Sequence, residues 1–302
     1  MKKTLSVLLA GTMLATMSLP TQAAQQYPTF EAAKAQVTDD GYILFIYPEG
    51  WDKYGEKLCK KLVAEAPEGK TVIMLGKRIC RGSLRGVEEG TNFGDYQLFG
   101  KNWLEDEFLS LSAYNLSNFI ESNNYEAVPI FPNPCEQTPT GVPVAPGRPA
   151  PNVYPDFDYA AVACGLCVIS YNGIPFSKEF GSRQRFHMIL TDAELESDPL
   201  LEENVCNGCK ACADACPLGA ISKDETEQIE ICGKKFTVGK IDYEKCKICQ
   251  NGAVANRFAA EATPDRIAAL CNRTCMCGLE SRDALTKTFA NPFRTAPTWS
   301  IG

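Results

Sequence analysis

Short unbroken apolar runs and longer stretches of helical spacing alternate through the first two-thirds of this chain. Gly41-Tyr-Ile-Leu-Phe-Ile-Tyr47, bounded by Asp39-Asp40 and Pro48-Glu49-Gly50, predicts a buried strand. From Tyr54 to Ala66, Leu58, Leu62 and Val63 share one helical face and lysines the other, with Cys59 read as a packed helix residue. Thr71–Leu75 predicts a second strand. The resulting strand–helix–strand order predicts the start of a parallel sheet. Residues 80–94, rich in glycine and charge, predict a loop. Leu104, Phe108, Leu111, Asn115 and Phe119 recur at three- and four-residue intervals, which predicts an amphipathic helix to about Glu121, stopped by Asn123-Asn124. Tyr125–Phe131 predicts a third strand. Tyr159–Leu166 predicts a short helix ending at a glycine, and Phe186–Thr191 a further strand that carries His187, the one histidine of the chain.

Residues 132–156 interrupt this pattern with repeated prolines, which cannot join regular structure. A segment of that length reads as a lid or binding loop, or as a solvated linker. Further on, Ile229–Cys232 and Phe236–Ile241 predict a hairpin across Gly233-Lys234. Thr263, as N-cap, and Pro264, in the first turn, predict a helix running toward Cys271.

Composition narrows the picture. A chain of 302 residues with 45% hydrophobic content can build a real core. A net charge of −7 argues against nucleic acid as the main partner. Lys2 and Lys3, the apolar run Leu5–Leu14 and the small-residue site at Thr21-Gln22-Ala23 have the pattern of a secretory signal over residues 1–23. The run is too short to predict a membrane span. An exported, periplasmic location follows from that pattern, with the cytoplasm as the alternative. The leader lacks twin arginines.

The 15 cysteines change the picture most. Cys206-Asn-Gly-Cys209-Lys-Ala-Cys212-Ala-Asp-Ala-Cys216-Pro217 reads C-x2-C-x2-C-x3-C-P, the bacterial ferredoxin run for a 4Fe-4S cluster. Closely spaced thiolates on a tight loop can converge on the corners of one small cluster. The small residues between them let the backbone wrap closely and aim N–H groups at sulfur. Zinc sites instead pair two separated C-x2-C units. Later come Cys246-Lys-Ile-Cys249 and Cys271-Asn-Arg-Thr-Cys275-Met-Cys277. All nine of these cysteines are candidate metal ligands; Cys206, Cys209, Cys212 and Cys216 carry the cofactor assignment. Cys164 and Cys167, in an apolar context, read equally as packed residues or ligands. Lys210, Lys245 and Lys247 read as surface residues near the cluster. The fold class expected is α/β (α+β): a sheet domain with flanking helices over 24–200, a ferredoxin-type module over 201–285 and a tail over 286–302.

Several segments leading into the cysteine run resemble epoxyqueuosine reductase-like and reductive-dehalogenase-like proteins. These are Asn118-Phe-Ile-Glu-Ser-Asn-Asn-Tyr-Glu-Ala-Val-Pro129, Cys164-Gly-Leu-Cys167, Lys178-Glu-Phe-Gly-Ser-Arg-Gln-Arg-Phe186 and Ile189-Leu-Thr-Asp192. The resemblance implies a two-cluster ferredoxin module joined to a sheet domain, with cobalamin held between them in catalytic members. It implies one cluster on Cys206, Cys209, Cys212 and a late cysteine such as Cys277, and another on Cys216, Cys246, Cys271 and Cys275, with Cys249 competing. The chain departs from the family pattern in three places. Cys167 replaces a glycine, no lysine stands in Ser170–Gly173, and no acid stands at Pro151-Asn152. Asp156, Asp158 and His187 are the candidate proton donors that remain. The functional expectation is a reductase passing electrons from one or two clusters to a cofactor or small-molecule substrate, fed by a redox partner protein. The alternatives are a non-catalytic electron carrier and an exported cysteine-rich metal-binding protein.

Overall fold

The computed structural model describes residues 42–47, 69–130, 157–256 and 263–291. The expected leader, the helix over 54–66, the proline-rich segment and Asp156 lie outside the described residues.

The core is a sheet of β1 (Tyr42–Tyr47), β2 (Thr71–Arg78), β3 (Ala127–Ile130) and β6 (Gln184–Thr191), in the order β1-β2-β6-β3. Every pairing in it is antiparallel, so the parallel start expected from strand–helix–strand order is corrected. The misreading has a physical cause. Continuous apolar runs mark strands covered on both faces, a condition commonest in parallel sheets but met here by an antiparallel one. Val72 and Met74 of β2 and Phe186, Met188 and Leu190 of β6 join the main core. Ile73, Leu75 and Ile189 face a second core with Leu109, Ala113, Leu116 and Ile120.

The segment over 80–94 is not a plain loop: a 3-10 turn (Arg81–Leu84) runs into α1 (Arg85–Glu89). Ser83, Leu84 and Val87 are buried there, a core contribution hidden by the surrounding charge. Two π-helical stretches, Tyr96–Asn102 and Leu104–Leu109, lead into α2 (Ser110–Glu121). The widened turns shift the helix phase. The buried positions are therefore Leu104, Leu109, Ala113, Leu116 and Ile120, while Phe108 and Leu111 are exposed. The helix ends as expected, with Asn124 in the left-handed region at φ 67°.

After α3 (Phe157–Ala163), the short strands β4 (Val168–Ile169) and β5 (Pro175–Phe176) flank a turn over 170–174. The cysteine-rich part follows, with α4 (Ala211–Asp214), β7 (Ile221–Ile231), β8 (Lys234–Ile241), α5 (Tyr243–Lys247) and α6 (Leu270–Ser281). β7 and β8 form the expected hairpin, with Ile231 opposite Lys234. Its two-residue turn is Cys232-Gly233, both at positive φ, one position earlier than the sequence suggests. The helix expected from Thr263 begins only at Leu270, because Asp265 pairs with Val254 in an extended bridge. That delay places Cys271, Cys275 and Cys277 on one helix.

Buried ion pairs join sheet and cysteine-rich part. Arg185 of β6 donates to Asp265 at 2.6 Å, and Arg183 donates to Glu280 of α6 at 2.6 Å. Tyr96 Oη also donates to Asp265, at 2.8 Å, and Lys101 Nζ stands 3.9 Å from it.

Candidate metal centre

The loop carrying the first cysteines is short and sharply turned. Gly208 and Lys210 both adopt left-handed backbone, at φ 69° and 61°. Alternating hand reverses the chain between successive cysteines, and glycine takes that conformation without strain. Ala213 N and Asp214 N then donate to Lys210 O, at 2.9 and 3.1 Å, closing α4 beneath Cys212.

The thiols fall into two groups. In the first, Cys206, Cys212 and Cys275 pack with Tyr171, Ile221 and Ala269, and Cys271 borders the same group. Tyr171 N donates to Cys206 Sγ at 3.3 Å, and Asn172 Nδ2 to Cys275 Sγ at 3.7 Å. Cys212 and Cys275 interact with one another, which lowers the Cys212 thiol pKa against its burial and raises that of Cys275. Cys209 lies in the same loop and is exposed. In the second group, Cys216, Cys246, Cys249 and Cys271 line one cavity, walled by Leu218, Ile221, Ala253 and Leu270. Ala220 N donates to Cys216 Sγ at 3.2 Å. Burial pushes the Cys246 thiol up to about 11 and Cys271 up to about 12, with Arg266 opposing the shift in both.

Helix α6 divides the two groups. Cys271 and Cys275 stand one turn apart, Cys271 lining the cavity and Cys275 meeting Cys212. Cys277 packs against the main core, as Cys275 also does on its other side. Among the described residues, no three of His, Cys, Asp and Glu converge as closely as a single metal ion requires. Thiols distributed around a cavity suit a cluster, which spreads its ligands over several irons.

Cys164 and Cys167 are fully buried, and burial raises both thiol pKa values. Cys167 Sγ accepts from Gln184 Nε2 at 3.3 Å. Asp158 is half-buried in the first turn of α3, where its charge acts on Cys167. His187 is buried in β6, opposite Leu75, on the sheet face that meets α2. Met188 N donates to its Nδ1 at 3.1 Å, and burial lowers its pKa to about 4.

Three contributors escaped sequence reasoning. Tyr171 and Asn172 reach sulfur from a turn about 35 and 100 residues distant in sequence, and no spacing rule could find them. Arg266 lines the cavity and is 7% exposed. Its one signal was a charged pair, Asp265-Arg266, set before the apolar Ile267-Ala-Ala-Leu270. Of the nearby lysines, Lys210 donates to Lys223 O and Lys247 stands 2.7 Å from Glu244, while Lys245 borders the cavity and stands 3.8 Å from Asp242.

Residues 199–222 match the model of the 4Fe-4S binding domain. This is an iron–sulfur protein. The tetrachloroethene reductive dehalogenase of Dehalobacter restrictus is 33% identical over 94 residues, which are 30% of this chain and 15% of that protein. A tetrachloroethene reductive dehalogenase of Desulfitobacterium hafniense is 39% identical over 72 residues, 23% of this chain and 13% of that protein. The chain thus spans 13–15% of the length of these curated relatives. Among solved structures, a variant of the catabolic reductive dehalogenase NpRdhA superposes with a TM-score of 0.50 at 14% identity, covering 89% of this chain and 35% of that one. An epoxyqueuosine reductase from Streptococcus thermophilus superposes with a TM-score of 0.43 at 13% identity, covering 81% and 66%. The iron–sulfur protein therefore has reductive-dehalogenase relatives, and mixes helices with antiparallel strands around its cysteine-rich module.

Proposed function

We propose that this protein is a two-cluster electron-transfer protein of the reductase type. Cys206, Cys209, Cys212 and Cys275 hold one 4Fe-4S cluster, and Cys216, Cys246, Cys249 and Cys271 hold the other. The observation that carries this is α6, which presents Cys271 and Cys275 to two different groups of thiols. The donor set is all sulfur, the soft ligand that iron–sulfur clusters take. A cubane bound in each group supplies one-electron uptake and release. The chain's own part is to orient the thiols through Tyr171 N, Asn172 and Ala220 N, and to exclude water with the apolar cavity wall. Electrons come from a redox partner protein and leave toward a cofactor or small molecule. The leader pattern supports an exported location.

Iron and sulfide analysis after anaerobic preparation tests the assignment. About eight irons per chain are expected. Cys275→Ser lowers that number or shifts one cluster's spectrum, while Cys277→Ser leaves both as they were. The reverse result would overturn the partition.

A carrier without its own substrate is the second reading, and one feature favours it. In the turn over 170–174, Tyr171 N and Asn172 Nδ2 reach thiols and Ser170 Oγ donates to Ile174 O at 2.6 Å, so these groups are already engaged. Corrinoid titration of the reconstituted chain separates the two. Stoichiometric cobalamin uptake favours the reductase; reduction of a protein partner without corrinoid uptake favours the carrier.

A further inference from the structure

Arg266 is a buried cation in an unusual setting. It is 7% exposed and lines the cavity with Cys216, Cys246, Cys249 and Cys271. No carboxylate among the described residues pairs with it. Its Nη1 donates to Asn172 O at 2.9 Å, and its guanidinium lies 5.2 Å from the centre of the Tyr243 ring. Asp265, its neighbour in the chain, is occupied by Arg185, Tyr96 and Lys101. A buried guanidinium without a counter-charge is strongly unfavourable. The negative charge that Arg266 lacks can come from the sulfurs it faces, once they are thiolate.

We infer that Arg266 is the built-in counter-charge of the second thiol group and raises the reduction potential of the cluster held there. The inference rests on the two-cluster reading above. Reduction moves one electron from an external donor into a centre already made anionic by its thiolates; no bond breaks and no proton is required. A fixed positive charge at low dielectric favours the more negative state. Lys245 also borders the cavity but is half-exposed and stands 3.8 Å from Asp242, and Lys247 pairs with Glu244, so solvent or a carboxylate screens each of them. Arg266 is thus a positioning residue for charge: its guanidinium is held in place by Asn172 and Tyr243.

The test uses the full chain, purified anaerobically as wild type, Arg266→Gln and Arg266→Lys. Each is analysed for iron and titrated with dithionite under electron paramagnetic resonance. In Arg266→Gln, one of two midpoints should fall by about 59 mV or more, a tenfold change in a one-electron equilibrium. Arg266→Lys should stay close to wild type. Full iron with both midpoints unmoved overturns the inference and leaves the two-cluster reading standing. An equal fall in both variants also overturns it, since geometry rather than charge would then matter. If Arg266→Gln loses iron, Arg266→Lys decides: retained iron supports the charge role, and lost iron overturns it. A wild-type chain without two clusters removes the reading and the inference together.

Discussion

At the scale of single residues, burial separates the titratable groups near the sulfurs from those that only keep the fold. His187 belongs to the second kind. Its ring is buried against α2, its Nε2 lies 3.4 Å from Ser110 Oγ, and its pKa falls from 6.5 to about 4 because burial penalises the charged form. The unfolded chain therefore takes up a proton below pH 6.5 that the folded chain refuses until about pH 4. Stability should fall as pH drops through that window, by up to about 3 kcal/mol. In His187→Leu this part of the acid limb should flatten. Denaturant midpoints measured at pH 7 and pH 5 on both proteins give the comparison; equal slopes would show that the ring does not titrate in this way. The same burial that makes His187 legible as a strand residue removes it from exchange with solvent.

At the scale of elements, the hairpin and the turn over 170–174 are interlocked. Gly239 N of β8 donates to Tyr171 O at 2.9 Å, while Tyr171 N donates to Cys206 Sγ. A side chain at position 239 would place its Cβ 2.7 Å from Ser222 O and 2.7 Å from the Tyr171 ring. Gly239→Val should therefore push Tyr171 away, destabilise the chain by about 1–3 kcal/mol and weaken cluster retention. Thermal unfolding together with iron content measures both effects. A variant with wild-type midpoint and full iron would show that the hairpin does not support the ligand loop. The sequence announced a hairpin through Gly233 and the apolar strand pattern. It did not announce what the hairpin leans on.

At the scale of the whole molecule, the sheet and the cysteine-rich part share a buried charge network. Burial alone would raise the Asp265 pKa, but Arg185 and Lys101 outweigh it and hold the carboxyl at about 2. Asp265 thus contributes stability that is present above about pH 4, its unfolded value, and is lost as pH falls through about 2. Asp265→Asn leaves Arg185 and Lys101 facing a neutral amide. The expected loss is about 3 kcal/mol, the lower end of the range for a broken buried pair, because Glu105 still stands 3.4 Å from Arg185. Denaturant titration at pH 7 reads it directly; a change under about 1 kcal/mol, typical of an exposed pair, would show that the network is not what joins the two parts. Arg266, beside Asp265, lines the thiol cavity, so the chain places sheet contact and cavity contact on adjacent residues.

The local chemistry of this protein was written in its sequence. Cysteine spacing alone marks the ligand loop, since a C-x2-C-x2-C-x3-C-P run must bring its sulfurs together over a few residues. Strand positions and the end of α2 were legible for the same reason, as they depend on neighbouring residues. The tertiary structure decided everything that joins distant segments. It set the strands antiparallel, because covering both sheet faces erases the alternation that would have shown it. It turned α2 onto Leu109, Ala113 and Leu116, because two widened helical stretches shifted the phase. It brought Cys275 beside Cys212, because α6 packs against α4 and so turns one of its faces to the cysteine loop. Spacing along a chain fixes which groups can meet locally; which remote ones do meet is settled by packing.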